Sequence, residues 1–325
     1  MLLAMVGDLD YFSKAFKLPF WSNASNPCCL RKCSKLGPNT YMDKRPDAPW
    51  LQTLWTPSTW FGWGERPGSA FFSVALWLSI LIVHFDYMHC KFLGSDQYLF
   101  GSILYLLTHH LMPDEDPKEN LQALWGWILQ WYEENQVLVS KRFRHLDKLT
   151  MYVKKKGPPK LRGKAIEIKN FGPVMLAVWQ EFGKESEWYD QLCLILELNI
   201  QLDKTLDDYP VSQGFFKLPE AAAEEFVETA MTMAQLTKTV SQACKASGIN
   251  AFSVTAKTHD LVHIAMLSKF IHPALTWCFG GEDYMRIVQR LIQSCLSGNN
   301  FWRSPIKATS HYRLAMHLKF SDCNP

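Results

Sequence analysis

Four groups of residues combine types and spacings that can do chemistry. The first is "GDLDYF", in which Asp8 and Asp10 follow a short apolar segment. A carboxylate at the C-terminal end of a strand is where metal-dependent phosphoryl-transfer enzymes hold Mg²⁺. Aspartate is equally a common cap or turn residue. The second is "PCCLRKC". Four residues separate Cys28 from Cys33 and three separate Cys29 from Cys33. Both gaps let two thiolates reach one zinc ion. No second Cys/His pair follows close by, so any further ligands come from afar, with His89 and Cys90 as candidates. Three unliganded thiols are the alternative.

The third group is "HFDYMHCKFLG". Asp86 and His89 share a face if that turn is helical. A carboxylate can orient an imidazole for a metal, or the two can be a buried hydrogen-bonded pair. The fourth is "THDLVHIAMLSKF", followed by "CFGGEDYM". His259 and His263 have the spacing of half a zinc-binding helix. Asp260 stands where a zinc protease has its glutamate and no third ligand is evident, so protease chemistry is set aside. Glu282 and Asp283 open a helical pattern after Gly280–Gly281, where acids commonly complement the helix dipole. The chain contains no glycine-rich phosphate loop, no nucleophile elbow and no dinucleotide fingerprint.

Charge is distributed unevenly. The net formal charge is only +3. Between Lys141 and Lys164, however, ten Lys or Arg face the single acid Asp147. Lys141, Arg142, Arg144, Lys148, Lys154, Lys155, Lys156, Lys160, Arg162 and Lys164 form a candidate phosphate-contacting segment. The bland alternative is a solvated loop.

These residues need elements to position them. Strands are expected near "LLAMVGDL", within 71–85 and at "KAIEIK". From residue 92 onward the pattern is helical. Residues 92–112 read as a mostly buried helix. Asp116, Pro117 and Glu119 start the next one as N-cap, first helical residue and capping-box partner. "KKKGPPK" interrupts the helical pattern, which resumes at 171–183, 187–207 and 219–247. Gly248 stops the last of these. Further helical patterns cover 252–271, 282–297 and 303–318. The apolar run Ala70–Phe85, 16 residues long, falls short of the ~20 that cross a bilayer. A buried strand or core helix is expected there, and no membrane partner. The nine cysteines are odd in number and sit mostly in apolar segments, as buried thiols of a reducing compartment do.

Taken in order, "GDLDYFSKAFKLPFW…PCCLRKC", "FDYMHCKFLGSDQYLFGSILYLL" and "HDLVHI…LTWCFGGEDYMRIVQRLIQS…HYRLAMHL" resemble the downstream part of CACTA-like DDE transposases. The likeness is to the transposon-derived proteins of dinoflagellate genomes. That order is an acid, a C-x-x-C, a D-x-x-H with an "xLG" segment, a helical insertion and a terminal acid. The resemblance implies an RNase H-like core in which carboxylates hold Mg²⁺ for phosphoryl transfer on DNA. Asp8 or Asp10 would be the second acid, Asp86 and His89 the D-x-x-H, and Glu282 the terminal acid. Arg31 stands where the second cysteine is expected, and Cys33 would replace it through a shifted loop. The first acid would lie upstream of Met1.

The expected fold is therefore mainly α, with a small N-terminal α/β remnant of a truncated RNase H-like core and a large helical insertion. The expected segments are 1–112 with the cysteine cluster and D-x-x-H, 113–270 as helical insertion with the basic loop 141–164, and 271–325 bearing the terminal acid. The expected function is that of a catalytically incomplete, DDE-transposase-like nuclear protein with residual DNA binding. Its metals are Mg²⁺ if it is active and Zn²⁺ at the cysteines. An α-helical interaction or scaffold domain with no nucleic-acid role is the alternative.

Overall fold

A computed structural model describes residues 5–19, 22–61, 80–113, 116–147, 150–152, 157–279, 289–295 and 303–321. The chain divides into a unit spanning Met1–Trp277 and a second spanning Cys278–Pro325. The segments expected at 1–112 and 113–270 thus lie within one unit. The structure is mainly helical with a small parallel two-stranded sheet.

The sheet pairs β1 (Met5–Gly7) with β2 (Val83–Phe85), in register Met5↔Val83, Val6↔His84 and Gly7↔Phe85. Each strand ends on an aspartate that caps the next helix. Asp8 Oδ1 accepts the Tyr11 N–H at the start of α1 (Leu9–Phe16), at 2.6 Å. Asp86 Oδ1 accepts the Met88 N–H at the start of α3 (Tyr87–Cys90), at 2.9 Å. Of the run 70–85, residues 80–85 are a short 3-10 turn and the buried strand β2. The remainder of the run lies outside the described residues. The short helix α2 (Pro57–Phe61) precedes it.

The helix expected over 92–112 is present but wound partly as a π-helix. Residues Lys91–Asp96 and Leu107–Leu111 are π-helical, on either side of α4 (Gln97–Leu106). The first π segment buries a charge network. Lys91 Nζ donates to Asp96 Oδ2 at 2.9 Å and to Asp203 Oδ2 at 2.8 Å. Asn199 Nδ2 donates to Asp96 Oδ1 at 2.6 Å. Burial pushes Asp96 up to about 6 even with the ammonium beside it. Gly94 is needed in this segment because a Cβ there would sit 2.9 Å from the His89 carbonyl oxygen and 2.9 Å from Lys257 Cδ.

The remaining helices of the first unit are α5 (Pro117–Glu134), α6 (Ala165–Phe182), α7 (Tyr189–Asp208), α8 (Glu220–Ala246) and α9 (Ala256–Leu267). Asp116 caps α5 as expected, accepting the Lys118 N–H. Gly248 takes φ +78° just beyond α8, the left-handed conformation that ends helices cheaply with glycine. "KAIEIK" is not a strand. Glu167 Oε2 accepts the Lys164 N–H at 3.0 Å, and that local cap starts α6 in its place. Among the described residues no helix is long and apolar enough to cross a membrane. The second unit contains α10 (Ser304–Ser321), and Cys295 Sγ lies 3.5 Å from His311 Nδ1.

Candidate metal centre

The cysteine loop follows α1 and is held by a short antiparallel bridge, Arg31↔Leu54. Lys32 N–H donates to the Thr53 carbonyl and Trp55 N–H to the Leu30 carbonyl. This ties the loop to the tryptophan-bearing connector. Within the loop, the Leu30 N–H donates to Cys28 Sγ at 3.3 Å. A backbone donor aimed at sulfur favours a thiolate there.

Helix α9 delivers the other half. His259 and His263 are one turn apart and share a face. Cys28 Sγ lies 3.3 Å from His263 Nε2 and Cys33 Sγ lies 3.7 Å from His259 Nε2. The two Nε2 atoms are 3.0 Å apart. The ligand atoms of Cys28, Cys33 and His259 all fall within 4.8 Å of one another, so the three could hold a metal ion. With Zn–S of ~2.3 Å and Zn–N of ~2.0–2.1 Å, the edges of a tetrahedral site are about 3.3–3.8 Å long. The measured separations match those edges to within a few tenths of an ångström.

The centre is dry. All four side chains are buried, and the imidazoles pack against aromatic rings. Trp50 lies 4.5 Å from the His259 ring and 5.7 Å from His263. Burial, with His263 and Lys44 nearby, holds His259 well below the ordinary imidazole range. It is therefore neutral at pH 7, the form in which histidine binds metals. Burial pushes the Cys28 thiol up, so metal binding there displaces a proton.

Two buried cations flank the group. Lys44 Nζ has no hydrogen-bond partner and faces the Tyr41 and Trp50 rings at 5.7 and 5.5 Å. Burial pulls its pKa down to about 7. Arg31 donates to the Leu51 carbonyl and to Met266 Sδ, while its Nε is unpartnered.

The other expected ligands lie elsewhere. Cys29 is buried but is not in the converging group, and burial raises its thiol pKa. Asp86 and His89 are not in it either. Asp86 Oδ2 pairs with His89 Nδ1 at 2.5 Å while its other oxygen caps α3. Both carboxylate oxygens are therefore engaged at the end of β2. His89, Asp8 and Asp10 line a separate cleft of about 200 Å³, together with Tyr98, Lys160 and Lys257. Asp10 pairs with Lys14 at 2.6 Å on the exposed side of α1. Glu282 lies outside the described residues.

The basic stretch splits by location. Its hairpin, β3 (Met151–Tyr152) with β4 (Lys160–Leu161), docks on α4 at Gly101. A Cβ at Gly101 would sit 2.5 Å from the Leu161 backbone nitrogen, so only glycine admits that approach. The docking carries Lys160 into the cleft, 5.4 Å from the Tyr98 ring. Arg142 instead pairs with Glu133 at 2.5 Å and stacks on Tyr132, and Arg144 pairs with Glu167 at 2.5 Å. Lys141, Arg162 and Lys164 are exposed. Lys148, Lys154, Lys155 and Lys156 lie outside the described residues.

No family model, no curated protein and no solved structure matches this chain. The chemistry must be argued from the geometry. His259 and His263 have a recognisable helical spacing, but on their own they are half a site. The missing signal was the other half, the cysteine pair more than 220 positions earlier.

Proposed function

We propose that this chain is a zinc-braced, transposase-like DNA-binding protein. Zn²⁺ sits on Cys28, Cys33, His259 and His263. DNA phosphates engage the cleft where Lys160 and Lys257 stand beside Asp8 and His89. The observation that carries the reading is the docking of the basic hairpin at Gly101, which brings Lys160 to the carboxyl ends of two parallel strands.

Several features support the transposase resemblance. The acid matched to the second position, Asp8, and the D-x-x-H leave adjacent parallel strands, an arrangement compatible with a remnant of an RNase H-like core. The cysteine pair follows Asp8, and a long helical segment separates the D-x-x-H from the histidine helix. Asp8, Asp10 and Glu282 are the acids that this resemblance assigns to Mg²⁺. Among the described residues no carboxylate joins Asp8 and Asp10 in an ion-sized group, so the reading stops at binding. The metal's part is to clamp the cysteine loop to α9, so that β1, β2 and α9 keep the cleft walls in place. A nuclear location is the part of the proposal that a DNA ligand would bring with it.

Binding of a labelled DNA duplex, measured by anisotropy across salt concentrations, tests this. The expected result is an affinity that falls linearly on a log–log plot as salt rises. No binding at low salt would favour the α-helical interaction domain instead.

A further inference from the structure

A second concavity is larger than the cleft beside Asp8. It is a groove of about 560 Å³ between the cysteine loop, β2, α8 and α9. Its walls are mostly apolar and include Leu30, Val83, Ala223, Val227 and Met266. That volume and lining are those of a small-molecule site. Arg31 also lines it, and the exposed Lys269 stands at its rim.

Arg31 is the unusual feature. It is 8% exposed, its partners are a carbonyl, a thioether and the face of Trp50, and its Nε has none. Among the described residues no carboxylate pairs with it. A guanidinium stays charged at all ordinary pH values, and a buried charge without a counter-ion is costly. The rim acids Glu220 and Glu224 are exposed to water. Cys28 and Cys33 lie close enough to influence Arg31. A divalent ion on those sulfurs would take up their charge and leave the arginine uncompensated, a step that rests on the metal reading above. The groove therefore offers an apolar trough with an unmatched cation in its wall.

We propose that this groove binds an apolar monocarboxylate, its head group on Arg31 and its chain along Leu30, Val83, Ala223, Val227 and Met266. A carboxylate can accept two parallel N–H bonds from a guanidinium, which an alcohol cannot reproduce. The apolar wall excludes short, strongly hydrated anions such as acetate.

The test uses full-length protein whose zinc content has been measured, so that failure of the metal reading is seen separately. Decanoate, decanol and decyltrimethylammonium are titrated while tryptophan fluorescence is followed, because Trp50 lies 5.7 Å from the Arg31 guanidinium. Decanoate is expected to bind roughly tenfold or more tightly than decanol, as a charge-assisted pair should. Arg31→Met should bring decanoate down to the decanol level. Val227→Trp, which fills the trough from α8 and leaves the residues of the cysteine loop unchanged, should remove binding of both while zinc content and helicity stay unchanged. Equal binding of decanoate and decanol by the unmodified protein would overturn the proposal. So would preference for the cationic amphiphile, or no saturable binding below about 1 mM.

Discussion

Two regions of this molecule carry residues of metal-binding type, and they differ in what those residues do. At the buried centre the ligand atoms of Cys28, Cys33 and His259 converge, His263 Nε2 lies 3.3 Å from Cys28 Sγ, and Leu30 N–H points at sulfur. Around the ends of β1 and β2 each aspartate is occupied locally. Asp8 caps α1, Asp86 caps α3 and braces His89, and Asp10 pairs with Lys14. Both places pair closely spaced residues of metal-binding type. Convergence separates them, and convergence is a property of the tertiary fold.

The comparison breaks most easily at the buried centre. Cys33→Ser is expected to lower stability by on the order of 5 kcal/mol in urea unfolding, because a structural metal's binding energy is folding energy. Asp86→Asn is expected to leave zinc content unchanged. If Asp86→Asn removed the metal and Cys33→Ser did not, the assignment of the two regions would be reversed.

Lys44 gives the next largest effect, with the opposite sign. Its folded pKa, about 7, lies below the ordinary 10.5. The unfolded chain therefore binds that proton more tightly, and stability is lost as pH falls from about 10.5 to 7. Lys44→Met is expected to raise stability by about 2–4 kcal/mol at pH 7. The gain should shrink in urea titrations repeated towards pH 10. A destabilised Lys44→Met variant at pH 7 would mean that the ammonium is needed beside the sulfurs.

The cleft is sharpened by charge reversal. Lys160→Glu or Lys257→Glu should weaken DNA binding roughly tenfold at low salt and flatten the salt slope. Zinc content should not change. Arg142→Ala should matter less to DNA, because that side chain is already spent on Glu133, Tyr132 and the Val137 carbonyl.

The smallest effect is at Asp8. Asp8→Ala removes an N-cap and is expected to cost about 1 kcal/mol in thermal or urea unfolding. A much larger loss would show that the carboxylate has a role beyond capping.

Local signals in the sequence were readable where the physics is local. Asp116–Pro117 marks the start of α5 and Gly248 the end of α8, because caps and left-handed glycines act over a few residues. The mainly helical class and the strand before Asp8 follow from hydrophobic periodicity in the same way. "KAIEIK" misled because its alternation suits a strand while its glutamate suits a capped helix, and the cap won. The centre itself was visible only as two unconnected halves. The spacing of Cys28 and Cys33 and that of His259 and His263 each suggested zinc, but separations of 226 and 235 residues carry no local signal. Nor could the sequence show that Gly101 is where the basic hairpin lands. That glycine is required by the close approach of another backbone, not by a turn of its own.

The most direct test is to refold the metal-free chain with Co²⁺ in place of Zn²⁺ and record the visible spectrum alongside the metal-to-protein ratio. The account predicts one ion per chain, the absorption of a tetrahedral site with sulfur and imidazole ligands, and loss of both in Cys28→Ser and His263→Ala. A ratio near zero, or an octahedral spectrum that survives those two substitutions, would contradict it.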